Sequence, residues 1–399
     1  MKFIKGIYHF LVSWLASVVY RSPSTGIFVL GVTGTKGKST VLEIIHFILE
    51  GAGYKTAMLS SVFIKIGKDR KDNITENTMP GRFFIQKFLK NAGDAGCKYA
   101  LIEVTSEGIV QHRHRFIHFD SAMFLNLHPE HIEAHGSYKK YRKAKVKFFS
   151  YVARHSKKLK KQFFINQYDK ESGCFTDSVK QKGEVYTFSR EQFIASRLNN
   201  KKSSLGRWFA NDINLENAAA ATRFAEIQGV GWETIKKILK SFGGFTGRME
   251  VIQNEPFRVV IDYAHTPNSL EIVYKHLANK KGRMVCVLGS CGGGRDKWKR
   301  PHIGKIADKY CDQIILTNED PYDEDPEAII NDIKSGNLNN PKFLEIIDRR
   351  EAIKKAIFLA KKNDTVIITG KGSERWIHVK NGRKILWSDK EVVEQIFKL

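Results

Sequence analysis

Residues 31–40 read Gly-Val-Thr-Gly-Thr-Lys-Gly-Lys-Ser-Thr, directly after the apolar run Ile27–Val32 and at the start of a helical pattern, Thr40–Glu50. A strand that turns through glycines into a helix is a phosphate cradle. Its backbone N–H groups surround the anion, Lys38 reaches the terminal phosphates and the Ser39 hydroxyl faces Mg²⁺. The strict pattern wants glycine five residues before Gly37, where Val32 stands; here the glycines are Gly31 and Gly34. A glycine-rich turn with a chance Gly-Lys-Ser is the competing reading.

The chain has 399 residues, enough for two or three domains with self-sufficient cores. Further apolar runs recur at Tyr99–Val104, Phe119–Leu127, Arg258–Tyr263, Met284–Leu288, Gln313–Thr317 and Thr365–Thr369. Helically spaced segments, such as Leu215–Ile227 and Glu351–Ala360, lie between them. Alternating strands and helices predict α/β folding around mostly parallel sheets. Polar or glycine-rich motifs follow nearly every run, and open α/β sheets bind ligands at the carboxyl ends of their strands. A seam is expected near Gly243–Gly247. The expected parts are an N-terminal apolar helix (1–26), a central α/β domain (27–246) and a second, Rossmann-like α/β domain (247–399).

The formal net charge is +24, which favours anionic partners such as nucleotides, phosphorylated substrates, nucleic acid or an acidic membrane face. Lys139–Lys161 holds eleven Lys/Arg and no acid; a solvated helix face explains such a run equally well. Five cysteines without a Cys-x-x-Cys pair argue against a disulfide framework or zinc ribbon and for a reducing cytosol. Lys2 and Lys5 precede an apolar stretch, Ile7–Tyr20, that is short for a membrane span of about 20 residues. It reads as a helix packed on the body or lying on a membrane surface, with an anchor or signal as the alternative. The chain is expected in the cytoplasm, with peripheral membrane contact through residues 1–20.

Gly34-Thr35-x-Gly37-Lys38-Ser39 resembles the phosphate loop of the Mur ligases and folylpolyglutamate synthetases, which usually have Asn where Lys36 stands. That resemblance implies ATP contacts from Gly34, Thr35, Lys36, Gly37, Lys38, Ser39 and Thr40. Glu103-Val-Thr105-Ser106 resembles the family's Glu-Val-Ser-Ser, implying Mg²⁺ at Glu103 and substrate contacts at Thr105 and Ser106. Asn126-Leu-His-Pro-Glu-His131-Ile-Glu-Ala-His135-Gly136 is similar to Asn-Leu-x-x-Asp-His-Leu-Asp-x-His-Gly, implying a Mg²⁺ role for His131. By spacing alone, His131 and His135 share a helix face and a zinc pair is an alternative. Lys145 matches the family lysine that is carbamylated and so becomes a metal-binding carboxylate. Asn77-Thr78-Met79-Pro80 resembles the loop that holds a muramyl peptide, with a plain turn as the alternative. Asn214-Leu-Glu-Asn217 matches a helix start that contacts adenine; helix capping by Asn is compatible with it.

The second half resembles the muramyl-tripeptide branch in Gly247-Arg248-Met-Glu, Asp262-Tyr-Ala-His265-Thr-Pro, Gly292-Gly-Gly-Arg295-Asp-Lys and Gly370-Lys-Gly-Ser-Glu374. By that resemblance Arg248, Asp262 and His265 close over the nucleotide. Arg295, Glu319, Asp320, Pro321, Tyr322, Gly370 and Glu374 meet the amino-acid substrate. Diaminopimelate-adding members carry Asp-Asn-Pro-Arg, whose Arg grips a distal carboxylate; here stands Glu319-Asp320-Pro321-Tyr322. Tyrosine cannot make that bidentate pair and two acids would repel a carboxylate, so a cationic side chain such as lysine's is the better electrostatic match.

The resemblance implies a Mur-type ligase fold: a phosphate-loop ATPase domain plus a Rossmann-like domain, with ATP held between them. It implies an ATP- and Mg²⁺-dependent carboxylate–amine ligase that adds an amino acid to a muramyl-peptide-like acceptor through an acyl phosphate. Such members also carry an N-terminal domain for the uridine nucleotide, and only residues 1–26 precede the phosphate-loop strand in this sequence. A lipid-linked acceptor would suit the apolar N-terminal helix. A polyglutamate-type ligase is the alternative enzyme. A basic nucleic-acid-binding protein is the alternative of another class, but no aromatic-interleaved basic motif supports it and no specific nucleic-acid partner is expected.

Overall fold

The computed structural model describes residues 2–75, 77–130, 132–278, 282–337 and 342–398. His131 lies outside the described residues. Two compact units divide the chain, residues 1–243 and 244–399.

The first unit is built on eight strands: β1 (Phe28–Thr33), β2 (Thr56–Leu59), β3 (Phe63–Ile66), β4 (Asp69–Asp72), β5 (Tyr99–Glu103), β6 (Ser121–Phe124), β7 (Gln162–Asn166) and β8 (Glu184–Phe188). Their order in the sheet is β4-β3-β2-β5-β1-β6-β7-β8. All pairings are parallel except β2–β3 and β3–β4. Parallel strands covered by helices are buried on both faces rather than alternating, as β5 shows: every position is buried and the run is apolar up to Glu103. Val32 of β1 is level with Glu103 of β5, and Thr33 with Phe124 of β6. This register brings the segments that follow the three strands to one edge, where the predicted site residues lie. Gly31 serves packing: a Cβ there would run into the Phe148 ring of the helix Tyr138–His155.

The N-terminal helix, Lys2–Val19, packs on the helix Arg82–Asp94. Among the described residues, no helix is long and apolar enough to cross a membrane.

The second unit carries β9 (Glu250–Gln253), β10 (Arg258–Asp262), β11 (Met284–Leu288), β12 (Gln313–Leu316), β13 (Phe343–Glu345) and β14 (Thr365–Thr369), ordered β13-β12-β11-β14-β10-β9. Only β9 runs antiparallel to its neighbour. A small hairpin, β15 (Trp376–His378) with β16 (Lys384–Leu386), lies beyond this sheet in the sequence. The cysteine reading is corrected here. Cys286 in β11 and Cys311 just before β12 form a disulfide, with Cα atoms 6.1 Å apart. Adjacent parallel strands bring the two residues within bridging range, which spacing along the chain could not show. Cys97, Cys174 and Cys291 are free thiols.

Candidate active site

In the first unit, the phosphate loop runs from β1 into the helix Lys38–Gly51. Gly37 has φ of +80°, and a Cβ there would stand 2.6 Å from the Asn217 side-chain oxygen, so only glycine fits. Asn126 clamps the loop from the end of β6: its side chain accepts from the Lys36 N–H at 2.9 Å and donates to the Lys36 carbonyl at 3.2 Å. Lys38 is folded back, donating to the carbonyls of Gly34 at 3.1 Å and Thr35 at 3.0 Å. Thr35 is fixed by Tyr141 at 3.1 Å, and Thr40 is buried in the first turn of the helix.

Glu103, at the end of β5, accepts from the Ser39 hydroxyl and from the Ser61 N–H at 3.0 Å. The Ser39 and Ser61 hydroxyls are 2.9 Å apart. Glu103 is 1% exposed. Lys145 reaches the same loop from the helix Tyr138–His155, donating to the Gly34 carbonyl at 2.8 Å. Burial, reinforced by the charge of Lys38, holds its amine well below the usual lysine range. Burial beside a second cation favours the neutral amine, which is the nucleophilic form of lysine.

The loop Asn77–Pro80 joins this edge through Met79, whose sulfur accepts from the Thr105 N–H at 3.4 Å. Thr105 caps the short helix Ser106–Val110, and Ser106 meets His135 at 3.1 Å. The Asn77 amide donates within its own turn, to the Thr75 carbonyl at 2.9 Å; Thr78 and Pro80 follow, and Pro80 is buried. The helix bearing Asn214 and Asn217 starts at Asp212 with Asn211 as its cap, so neither predicted asparagine performs the capping. Asn214 donates to the Trp208 carbonyl at 2.8 Å.

In the second unit, Asp262 organises the turn after β10 by accepting from the Met249 N–H at 2.8 Å and the Ala264 N–H at 2.7 Å. The Arg248 guanidinium lies 4.2 Å over the Tyr263 ring, and His265 packs 4.7 Å from the same ring. The Tyr263 hydroxyl donates to Glu374 at 2.9 Å. Lys371, fully buried, then links the two sequence-predicted acids: it donates to Glu374 at 2.6 Å and to both oxygens of Asp320 at 2.9 Å. Burial opposes its charge, yet Glu374 and Asp320 outweigh burial and raise its pKa above the ordinary lysine value. Asp320 therefore already faces a cation, Lys371, within this unit.

Glu319 differs from Asp320. It is 3% exposed; one oxygen accepts from the Cys291 thiol at 3.1 Å, and the other has no hydrogen-bond partner among the described residues. Gly370 lies directly against that carboxylate. Tyr322, after Pro321, takes a left-handed φ of 52°, unusual for a bulky residue and an indicator of local strain. Its ring stacks on His378 at 4.9 Å, and its hydroxyl accepts from Arg295 at 3.0 Å.

Residues 32–225 match the Mur ligase middle domain, and residues 247–372 match the Mur ligase, glutamate ligase domain. The chain is 33% identical over 400 residues to the UDP-N-acetylmuramoyl-L-alanyl-D-glutamate--2,6-diaminopimelate ligase of Halalkalibacterium halodurans, covering 96% of this chain and 81% of the relative. The ligase of the same name from Aquifex aeolicus is 34% identical over 392 residues, with 94% and 79% covered. This chain belongs to the Mur ligase family.

A solved structure of a ligase with the same name superposes with a TM-score of 0.60 at 27% identity, covering 93% of this chain and 78% of the other. A folylpolyglutamate synthase from Mycobacterium tuberculosis shares the fold, with a TM-score of 0.66 at 14% identity and 93% and 96% covered. Mur ligases are ATP-dependent enzymes that form peptide bonds and in general use Mg²⁺. They act on ATP, an amino acid and a UDP-muramyl peptide.

Within this Mur ligase, sequence reasoning missed Ser61, Tyr263, Lys371 and His378 as members of the two clusters. Lys371 carried a signal: a lone cation between two glycines, three residues before Glu374. Ser61 carried none, since it follows a short strand with no motif. No group of three or more His, Cys, Asp or Glu able to hold a metal occurs among the described residues. Ser39 and Glu103 nevertheless suit Mg²⁺, a hard ion that takes one or two protein oxygens, keeps waters and shares phosphate oxygens.

Proposed function

We propose that this Mur ligase joins an amino acid to a muramyl-peptide acceptor in peptidoglycan precursor synthesis, acting in the cytoplasm where ATP is available. The observation that carries the reading is the convergence of Lys38, Ser39, Glu103 and Lys145 on one phosphate loop. The acceptor carboxylate attacks the γ-phosphate of ATP, forming a C–O–P bond and releasing ADP. The amine then attacks the acyl carbon, forming the amide, with loss of phosphate and one proton. Lys38 must leave the loop carbonyls and turn to the phosphates, where its charge offsets that of the transition state. Ser39 and Glu103 would hold Mg²⁺, which when bound neutralises phosphate charge. His131 is assigned to the same ion by resemblance.

Carbamylation of Lys145 follows from the same reading. The neutral amine attacks CO₂, an N–C bond forms and a proton leaves, so a neutral side chain becomes an anion able to bind metal. Arg248, Asp262 and His265 are assigned to the nucleotide with Asn214 and Asn217. Asn77, Thr78, Pro80, Thr105 and Ser106 are assigned to the acceptor. Arg295, Pro321, Tyr322, Gly370 and Glu374 are assigned to the amino acid, with Glu319 the acid left to meet a cation once Lys371 has matched Asp320. A lysine-like side chain suits that arrangement better than diaminopimelate, because Tyr322 offers no charge to a distal carboxylate.

The test is ADP release by the purified protein with uridine-diphosphate muramyl dipeptide and a panel including lysine and diaminopimelate. Turnover with one amino acid, abolished by Lys38→Ala, is expected. Turnover that survives Lys38→Ala would overturn the site assignment, and turnover only with glutamate and a folate acceptor would replace this reading with the polyglutamate one.

A further inference from the structure

The helix Lys2–Val19 turns its polar side inward. Ser13, Ala16 and Ser17 are buried, and the Ser13 hydroxyl reaches the His112 carbonyl at 2.9 Å. Ile7, Leu11, Trp14, Leu15, Val18 and Val19 are all exposed, Leu11 at 52% and Trp14 at 49%. At about 100° per residue these six fall within an arc of roughly 140°, one continuous apolar face. The face extends onto the helix Arg82–Asp94, where Phe83 and Phe84 are exposed and the Tyr20 ring lies 6.4 Å from Phe83. An ordinary amphipathic helix would bury these residues; an apolar patch of this extent marks an interaction surface.

Charge selects the partner. Residues 1–27 contain Lys2, Lys5 and Arg21 but no acid, and the loop 111–118 holds Arg113 and Arg115 without an acid. Arg115 lies 5.3 Å over the Phe10 ring, and Arg82 is beside Tyr8. A symmetric contact with a second copy would set this basic rim against itself. The helix is about 27 Å long and polar along its inner side, so it does not replace a span of the roughly 30 Å bilayer core.

We propose that this helix is an interfacial anchor, laying its Ile7–Val19 face into an anionic lipid surface with Arg82 and Arg115 at headgroup level. Apolar burial and attraction to anionic lipid add in this arrangement, which makes binding sensitive to salt. The inference does not rest on the ligase reading.

Co-sedimentation of the full chain with vesicles tests it, using phosphatidylcholine alone or mixed with phosphatidylglycerol. The wild type is expected in the pellet with mixed vesicles and to fall several-fold with neutral vesicles or high salt. Leu11→Glu combined with Trp14→Glu should reduce binding at least tenfold while keeping the ATP-induced rise in melting temperature, which shows that the variant is folded. Arg115→Glu should weaken binding less. Lys38→Ala should lose the ATP response and sediment like wild type, separating this proposal from the ligase reading. A wild type that stays in the supernatant, or that sediments equally with the double variant, overturns the proposal. A dimer in light scattering that the double variant disperses, without vesicle binding, would assign the face to a second copy instead.

Discussion

Lys371 stands 2.9 Å from both carboxylate oxygens of Asp320, with no solvent exposure of the lysine. Removing one partner of such a pair leaves a buried charge without compensation. Lys371→Met should therefore cost about 3–5 kcal/mol in urea unfolding. Adding Asp320→Asn should recover part of that loss, and a double variant no more stable than the single would show that the pair is not what the lysine supports.

Gly37→Ala places a methyl against Asn217 and forces a non-glycine residue to φ of +80°. The ATP-dependent rise in melting temperature should disappear. Because Asn217 is itself assigned to the nucleotide, the clash is read from stability instead: adding Asn217→Ala should restore only part of the stability that Gly37→Ala loses in urea unfolding, since roughly 1 kcal/mol of backbone strain persists. Full restoration would mean that the side-chain clash alone sets the requirement for glycine.

Carbon-13 NMR on protein equilibrated with labelled bicarbonate should show one carbamate signal. It should be absent in Lys145→Gln and kept in Lys147→Gln, because the Lys145 amine is the one buried beside Lys38. A signal that survives Lys145→Gln would reassign the modification.

Acid should destabilise the first unit. Burial, with Lys65 and Arg70 nearby, holds His46 down to about 3, and burial beside Arg115 holds His112 at about 4. In the unfolded chain both titrate near 6.5. Below that value the unfolded chain binds protons that the folded one refuses. Stability that is full above neutrality thus falls as pH drops toward 4. The slope is up to ~1.4 kcal/mol per pH unit for His46, and less for half-buried His112, where solvent screens its neighbours. Denaturation midpoints at pH 7.5, 6 and 5 measure this, and His46→Gln should flatten the trend.

The strands legible in the sequence were the buried parallel ones, such as β1, β5, β11 and β14, whose apolar runs stand out between polar ends. The edge strand β4, Asp-Arg-Lys-Asp, is exposed throughout and carries no apolar signal at all. The phosphate loop was readable because its parts are contiguous. The partner that neutralises Asp320 was not, because Lys371 lies 51 positions away and meets it only through the fold. For the same reason, the charge counted along Glu319-Asp320 leaves out the cation that Asp320 faces.

Because β1 lies between β5 and β6, the nucleotide cradle is written early in the chain and finished late. A nascent polypeptide that has emerged only as far as residue 98 contains Gly34–Thr40 but neither Glu103 nor the Asn126 clamp. During synthesis the motif must wait, unsupported, for non-local pairing that is intrinsically slow. Nucleotide binding to ribosome-bound intermediates would thus report the arrival of β6 rather than the synthesis of the loop itself.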